Sequence, residues 1–227
     1  MSDALIVLGM HRSGTSAAMY AVRQLGVSVG PTDSLMPPTP QNPGGYWEQW
    51  PIVKAHERLL NQWGLRWDSD GDLPRDWLSR DETRDTQQAL AQFVRQTFDD
   101  QPLWGFKDPR TCRLLPLWQP IFTAQHITPH YLLMTRDPDA VVRSLQRVDA
   151  ETGRSTDHTA STYRALAQRY ETEAREYSAG QDCLIVRQED LRDHPSQILA
   201  ALCEWLPHLV LAGASLSRAV EAFRHPV

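Results

Sequence analysis

The segment GMHRSGTS, residues 9–16, carries the residue types of a phosphate-binding loop. Its two glycines have the spacing Gly-x-x-x-x-Gly, and the first of them directly follows the apolar run ALIVL. After a buried strand, such a turn points several backbone N–H groups into one concavity, and the next helix adds the partial positive charge of its N-terminus. Thr15 and Ser16 stand where that helix would begin, and Arg12 supplies a guanidinium group. The segment therefore predicts a site for a phosphate-like anion.

The same segment lacks the lysine that an ATP-binding loop places directly after its second glycine. Thr15 occupies that position, so no loop side chain reaches toward the β- and γ-phosphates of a nucleoside triphosphate. We therefore expect a phosphate-containing ligand other than ATP with magnesium.

A second basic residue ends a predicted strand further along the chain. In HYLLMTRDPDAVVRSLQR, Arg136 follows the apolar run and Ser144 lies eight positions later on a predicted helix. Two turns into a helix that begins near Asp137, a side chain faces back toward the strand end. Arg136 and Ser144 can therefore meet at one site. Taken singly, Arg136 could instead pair with Asp137 or Asp139, and Ser144 could be an ordinary helix serine.

These two segments, in this order, resemble the sulfotransferase family, and the resemblance extends by motif order from residue 4 to about residue 205. Members of this family take a sulfuryl group from PAPS (3′-phosphoadenosine 5′-phosphosulfate) and release PAP (3′,5′-adenosine bisphosphate). The resemblance implies a donor site without a metal, in which Arg136 and Ser144 hold the 3′-phosphate. It assigns the 5′-phosphosulfate to the loop residues Arg12, Ser13, Gly14, Thr15 and Ser16.

Lys107 is expected to supply positive charge at the transfer step, together with Arg12. It stands in LWGFKDPR at the end of a predicted strand, where the resemblance places a lysine with a catalytic base close behind in some branches. Residues at the carboxyl ends of parallel strands meet at the functional edge of an α/β sheet. The alternative for Lys107 is a solvated lysine paired with Asp108. Arg110 could pair with Asp108 or assist at the donor, and we assign it to a structural ion pair.

Three residues are candidates for the general base that accepts the acceptor's proton. Glu48 lies in NPGGYWEQ, where several branches of the family carry a glutamate base, and neighbouring aromatic rings could raise its proton affinity. Asp108 falls near the histidine base of other branches, and His11 lies inside the loop. We rank Glu48 first, Asp108 second and His11 third. The alternative for Glu48 is a solvated loop carboxylate.

Two segments depart from the pattern of the family. In RQEDL, Gln188 stands where the family carries a tyrosine that helps frame the adenine. The tail, residues 207–227, lacks the basic glycine-containing loop that closes over the 3′-phosphate in cytosolic animal members. Arg218 or Arg224 could substitute for it, but we favour the alternative that both are ordinary surface arginines. The adenine contact and the closing loop are therefore the least defined parts of the predicted donor site.

Short apolar runs alternate with helical stretches along the chain. The runs predicted as buried parallel strands are residues 4–9, 103–106, 130–135 and 182–187. The stretches predicted as helices are residues 15–26, 81–98, 137–148, 156–178 and 195–206. This alternation predicts a three-layer α/β/α fold with a central, mostly parallel sheet. We expect one domain over residues 1–227, with the proline- and glycine-rich residues 27–50 as a long functional loop.

The composition of the chain limits the classes of binding partner that the protein can have. The formal net charge of -5 provides no broad positive field, which argues against binding to nucleic acid or to an anionic membrane. No stretch approaches the roughly 20 apolar residues of a membrane span, and the apolar start lacks the basic leader of a signal peptide. Three widely separated cysteines indicate reduced thiols. We therefore expect a cytoplasmic protein, whose oligomeric state the sequence does not define.

The sequence thus predicts an enzyme that moves a sulfuryl group from PAPS to a hydroxyl of a carbohydrate or small metabolite. The acceptor pocket is expected between residues 27–50, 60–80 and 149–160, with Trp47 and Trp50 as candidates to line it. Two alternatives remain. One is an atypical P-loop nucleotide kinase that requires ATP and magnesium, and the other is a non-catalytic descendant that binds a nucleotide without turnover.

Overall fold

The computed structural model describes residues 2–154, 156–206 and 219–220, and a parallel sheet lies at its centre. The strands among these residues are β1 (Ser2–Leu8), β2 (Leu103–Lys107), β3 (Ile127–Thr135) and β4 (Cys183–Arg187). They pair in the order β2-β1-β3-β4, and each of the three pairings is parallel. The four predicted runs thus all form strands, which confirms the predicted parallel sheet.

Strand β1 shows why these runs form a central sheet. Its residues Ala4 to Leu8 are fully buried, and successive side chains point to opposite faces of a strand. Ala4, Ile6 and Leu8 pack into one hydrophobic cluster, whereas Leu5 and Val7 pack into another. A strand covered on both faces needs a continuous apolar run, which is what the sequence ALIVL provides.

Helices connect the strands and cover both faces of the sheet. Their bounds are α1 (Thr15–Gln24), α2 (Trp50–Gln62), α3 (Asp81–Phe98), α4 (Thr111–Ala124), α5 (Pro138–Thr152), α6 (Ala160–Tyr177), α7 (Gln188–Asp193) and α8 (Pro195–Trp205). Helices α1, α7 and α8 contribute to one cluster, and α2 to α6 contribute to the other. The predicted three-layer α/β/α architecture is therefore confirmed.

Helix α4 is not among the helices predicted from the sequence, and it contains two prolines. Proline lacks an N–H donor and disrupts the interior of a helix, yet Pro116 and Pro120 both lie inside α4. The helix persists because it buries a large apolar surface, including Leu117 and Trp118. Helix α2 was also missed. Its register is set by Ile52, Val53, Leu59 and Leu60, all of which are buried.

The carboxyl ends of the four strands meet at one edge of the sheet. Strand β1 leads into residues 9–14, β2 ends at Lys107, β3 is followed by Arg136, and β4 by Gln188. The predicted functional loop, residues 27–50, contains only one turn of 3-10 helix, Thr32–Ser34, before α2 begins. No helix within the described ranges is long and apolar enough to cross a membrane.

Candidate active site

The loop between β1 and α1 has a backbone conformation that suits an anion site. Gly9 has a φ of 140°, and a Cβ atom there would lie 2.6 Å from the carbonyl oxygen of Met134. Arg12 and Gly14 have φ values of 69° and 84°, in the left-handed region. Gly14 caps α1 without a side-chain hydrogen bond to the helix N-terminus. The first N–H groups of a helix have no intrahelical acceptor, so this end of α1 presents donors and a positive dipole.

The structure brings the two predicted halves of the donor site into direct contact. Arg12 Nε donates a hydrogen bond to Ser144 Oγ at 2.9 Å, and Arg136 Nη1 donates to the carbonyl oxygen of Arg12 at 2.6 Å. Asp137 caps α5 by accepting from the backbone N–H of Ala140 at 2.8 Å. This cap fixes the start of α5, and Ser144 then faces the loop two turns into the helix.

Arg12 and Arg136 also retain hydrogen-bonding capacity and uncompensated positive charge. Arg136 Nε is buried and has no hydrogen-bond partner among the described residues. Burial lowers the pKa of Arg136, and burial together with the charge of Arg147 lowers the pKa of Arg12. Several guanidinium groups at one loop repel one another, and a bound anion would relieve that repulsion.

Lys107 and Glu48 form a buried ion pair beside the start of α1. Lys107 Nζ contacts Glu48 Oε1 and donates a hydrogen bond to Ser16 Oγ at 3.2 Å. Asn42 Nδ2 donates to the same hydroxyl at 3.3 Å. Neither member of the ion pair is solvated. The long loop, residues 27–50, therefore places Glu48 at the edge of the sheet where the carboxyl ends of the strands lie. Lys107 pairs with Glu48 and not with Asp108.

The environment of Glu48 acts on its proton affinity in two directions. Burial raises the pKa of Glu48 above its ordinary value of 4.5, and the positive charge of Lys107 opposes that rise. A buried carboxylate with one cationic partner is suited to accept a proton near neutral pH. Gln49 holds the segment in place, because its Nε2 donates to the carbonyl oxygen of Val29 at 2.5 Å.

Asp108 is engaged on both of its oxygens. Arg110 donates to Oδ1 from its backbone N at 3.0 Å and from Nη1 at 2.8 Å. His56 Nδ1 donates to Oδ2 at 2.8 Å, because Trp118 donates to His56 Nε2 at 3.0 Å and thereby fixes the tautomer. Burial alone would raise the pKa of Asp108, but Arg110 and His56 hold it well below its usual range. This geometry matches the structural ion pair expected for Arg110.

His11 stands at the side of the loop that faces the segment after α2. Its ring centroid lies 4.3 Å from that of Trp67 and 6.3 Å from that of Tyr170. Its Nε2 atom is buried without a hydrogen-bond partner among the described residues. Burial and the charge of Arg110 hold the pKa of His11 well below 6.5. The imidazole is therefore neutral at pH 7, and it packs within the loop between β1 and α1 against Trp67.

The remaining predicted residues occupy separate positions. Trp47 packs against α1, with its ring 5.2 Å from Tyr20 and 5.1 Å from the guanidinium of Arg23. Trp50 is 37% exposed at the start of α2. Gln188 packs over Gly14, since a Cβ atom on that glycine would lie 2.5 Å from Gln188 Cγ. Arg218 and Arg224 lie outside the described residues.

Sequence reasoning missed His56, Asn42 and Trp67 as members of this region. His56 was missed because α2 was not predicted, although it follows Ile52 by four positions and falls on the buried face of that helix. Asn42 and Trp67 lie in irregular segments, where no periodic pattern indicates which way a side chain points. In the part of the chain that the structure describes, no three His, Cys, Asp or Glu residues cluster as metal ligands.

Comparisons with known proteins identify the family and the fold. The sequence model of the sulfotransferase family matches residues 4–208. The fold is similar to that of sulfotransferase STF9 from Mycobacterium avium, with 15% identity, a TM-score of 0.55, and coverage of 100% of this chain and 69% of that one. Sulfotransferase STF1 from Mycobacterium tuberculosis H37Rv matches with 13% identity, a TM-score of 0.52, and coverage of 98% and 76%. No curated protein sequence gives a significant match.

The fold is thus the α/β fold of these two solved sulfotransferases. Because the family match extends over nearly the whole chain, the protein belongs to the sulfotransferase family. The family resemblance inferred from GMHRSGTS is confirmed.

Proposed function

We propose that the protein transfers a sulfuryl group from PAPS to a hydroxyl of a carbohydrate or small metabolite, and releases PAP. One observation carries this proposal most directly. Arg12 touches both residues assigned to the 3′-phosphate, by its side chain to Ser144 and by its carbonyl to Arg136. The loop that would hold the 5′-phosphosulfate and the pair that would hold the 3′-phosphate are therefore parts of one site.

The residues present fit such a donor. Arg136 has a buried Nε atom without a hydrogen-bond partner among the described residues, as expected of a group that binds an anionic ligand. The uncapped N-terminus of α1 and the hydroxyls of Thr15 and Ser16 offer further donors, with Ser13 and Gly14 shaping the turn before them. Thr15 still stands where a triphosphate site requires lysine, so nothing in the site favours the nucleotide kinase.

The mechanism follows from the charges at the sheet edge. PAPS, when bound, supplies an activated sulfuryl group attached to a phosphate. Lys107 and Arg12 provide positive charge where negative charge develops during transfer, which is the dominant kind of catalysis in related phosphoryl chemistry. Glu48 accepts the proton of the acceptor hydroxyl, since its buried carboxylate has an increased proton affinity. Asp108 holds the turn after β2 in place through Arg110 and His56.

The Lys107–Glu48 contact gives these two residues a shared role. The ammonium of Lys107 keeps the buried Glu48 carboxylate ionised, so the base is ready at neutral pH. Lys107 also touches Ser16 at the start of α1, and so lies between the base and the predicted 5′-phosphosulfate site. His11 is part of the same loop, and we assign it to orienting the loop or the donor rather than to proton transfer.

The test is a pair of substitutions in this ion pair. We expect Glu48→Gln to lower kcat by about 10²- to 10⁴-fold, the usual contribution of a general base, and Lys107→Ala to lower it comparably. Steady-state formation of PAP from PAPS with an accepted hydroxyl substrate measures the effect. Both variants should still bind PAP, which calorimetry measures. Glu176→Gln, an exposed carboxylate on α6, is the matched control and should change neither quantity.

Two results would contradict the proposal in different ways. Unchanged turnover in both variants would refute the assigned roles of Glu48 and Lys107. PAP binding by the unmodified protein without turnover of any hydroxyl compound would instead support the non-catalytic descendant.

A further inference from the structure

A polar cavity of about 530 Å³ lies between the segment after α2 and the segment that joins α5 to α6. Every residue in its wall carries a charged or polar side chain, and the charged and imidazole groups come from Arg66, Asp68, Asp70, Arg154, Asp157 and His158. Cavities that bind drug-like ligands are lined mainly by apolar and aromatic residues. A ligand in this cavity must therefore replace the hydrogen bonds that water would make with the wall. This requirement favours a ligand rich in hydrogen-bonding groups.

The inner wall of the cavity is held in place by a network around Asp68. The Asp68 carboxylate is largely buried and pairs with Arg154 Nη2 at 3.1 Å and with Arg66 Nε at 3.2 Å. His158 Nε2 donates to the carbonyl oxygen of Asp68 at 2.7 Å. Arg154 also pairs with Asp149 on α5 at 3.0 Å. The cavity is thus a preformed feature in which both arginines already have carboxylate partners.

The cavity adjoins the predicted donor loop across a single aromatic ring. Trp67 packs against His11 of that loop, with 4.3 Å between ring centroids. The guanidinium of Arg154, which lines the cavity, lies 5.1 Å from the centroid of the same indole. Tyr170 on α6 fixes this arrangement, because its hydroxyl donates to the carbonyl oxygen of Trp67 at 2.7 Å. A ligand in the cavity would therefore lie one indole ring away from the loop that carries Arg12.

A second cavity of about 290 Å³ shares Arg66 with the first and includes Trp67 in its wall. Its wall also contains Leu60, so the second cavity adds an aromatic and an aliphatic side chain beside the polar residues of the first. A sugar ring has polar edges and apolar faces, and aromatic side chains pack against such faces. The two cavities together thus offer a polar surface and an aromatic surface beside the same loop.

The charges on the rim decide which polar ligands fit. Asp70 and Asp157 are exposed in the cavity wall and have no ion-pair partner among the described residues. Carboxylates accept hydrogen bonds from hydroxyl groups and attract amines, but they repel anions. Arg66 and Arg154 each pair with a carboxylate, and the described residues of the wall include three aspartates (Asp68, Asp70 and Asp157) against these two arginines, so the wall favours a neutral ligand or an amine over an acid.

We infer that this cleft is the acceptor site, and that the acceptor is a hydroxyl-rich, sugar-like molecule that is neutral or carries an amine. This inference rests on the proposed function and narrows its acceptor class. It disfavours apolar phenols and alcohols, since every residue that lines the main cavity carries a polar or charged side chain, and it disfavours sugar acids, since the rim carries the Asp70 and Asp157 carboxylates.

Two matched panels of acceptors test the inference. One panel contains neutral and amino mono- and disaccharides such as cellobiose and D-glucosamine, and the other contains D-glucuronic acid, 4-nitrophenol and 2-naphthol. Transfer from PAPS to each compound is measured, together with calorimetric binding of each compound in the presence of saturating PAP. We expect transfer to members of the first panel only.

The double variant Asp70→Asn/Asp157→Asn links that preference to the cavity. Both residues are exposed, so the fold should tolerate the change. We expect KM for an accepted sugar to rise about 10- to 100-fold, because hydrogen bonds to charged groups are lost, while kcat and the affinity for PAP stay unchanged. Asp100→Asn, an exposed carboxylate after α3, is the control.

The inference fails if phenols or sugar acids are the compounds sulfated, if no sugar binds while PAP does, or if sugar transfer is indifferent to the double variant. If PAP binds and some other hydroxyl compound is sulfated, the proposed function survives and only the acceptor class is refuted; if PAP binds and no hydroxyl compound is sulfated, the non-catalytic descendant is favoured. Failure to bind PAP at all would refute the proposed function instead.

Discussion

Glu48 and Lys107 determine how the protein should respond to pH at the residue scale. Only the deprotonated form of Glu48 can accept a proton, so kcat/KM should fall as the pH decreases through the pKa of this residue. Burial raises that pKa above 4.5, and Lys107 opposes the increase. We expect the acid limb of the kcat/KM profile to lie at a higher pH than a solvated glutamate would give.

Initial rates across the acid range, with circular dichroism at each pH to confirm the fold, measure this limb. In Glu48→Gln the residual activity should lose the limb, because the amide does not titrate. Activity that stays constant down to pH 4.5, or a limb that persists in Glu48→Gln, would show that Glu48 is not the base.

At the residue scale, the sequence predicted where the site residues lie better than it predicted which side chains they contact. The positions of Arg12, Lys107, Arg136 and Ser144 at strand and helix ends followed from local patterns, and the structure brings all of them to one edge. The pairing of Lys107 with Glu48 could not be predicted, because the two lie 59 positions apart along the chain. Which carboxylate a buried cation selects depends on tertiary packing.

At the scale of elements, the turn between β2 and α4 depends on a buried polar network. Asp108 joins Arg110 to His56, and His56 is held in turn by Trp118. Removing one member of a buried ion pair leaves its partner uncompensated, which destabilises a protein by about 3–5 kcal/mol. Since one kcal/mol corresponds to about 2–4 °C for a chain of this size, Asp108→Asn should lower Tm by roughly 6–20 °C.

Thermal unfolding followed by circular dichroism measures that decrease. Asp85→Asn, an exposed residue on α3, is the matched control and should leave Tm nearly unchanged. A loss below about 1 kcal/mol for Asp108→Asn, within the range of surface pairs, would contradict the structural role. The low pKa of Asp108 also means that its contribution is present above its unfolded pKa and is lost as the pH falls through the folded value.

Elements with clear local signals were the ones that the sequence predicted. Helix α3 begins and ends where its pattern indicates, at Asp81 and Phe98. The prolines of α4 gave a local signal against the helix that forms. Buried contacts of Trp118 and its neighbours stabilise α4, and such contacts cannot be read from the segment alone. The loop over residues 27–50 was predicted as irregular, but the position of Glu48 within it follows from hydrogen bonds such as Gln49 to Val29.

At the scale of the whole molecule, a protein with a negative net charge could bind the proposed anionic donor only through a local concentration of hydrogen-bond donors and cations. The formal net charge is -5, so long-range attraction does not assist binding. The α/β architecture compensates by bringing the loop after β1, the end of β3 and the start of α5 to one point. The expectation that residues 1–227 form one domain stays a prediction.

Calorimetric titration with PAP, beside a titration with ATP and magnesium, tests the central claim most directly. The account predicts saturable micromolar binding of PAP that is indifferent to magnesium. Arg136→Ala should weaken it by about 10- to 100-fold, the value of one or two hydrogen bonds to a charged group, whereas Arg58→Ala on the exposed side of α2 should not. Binding of ATP that requires magnesium, with no binding of PAP, would contradict the account and favour a nucleotide kinase.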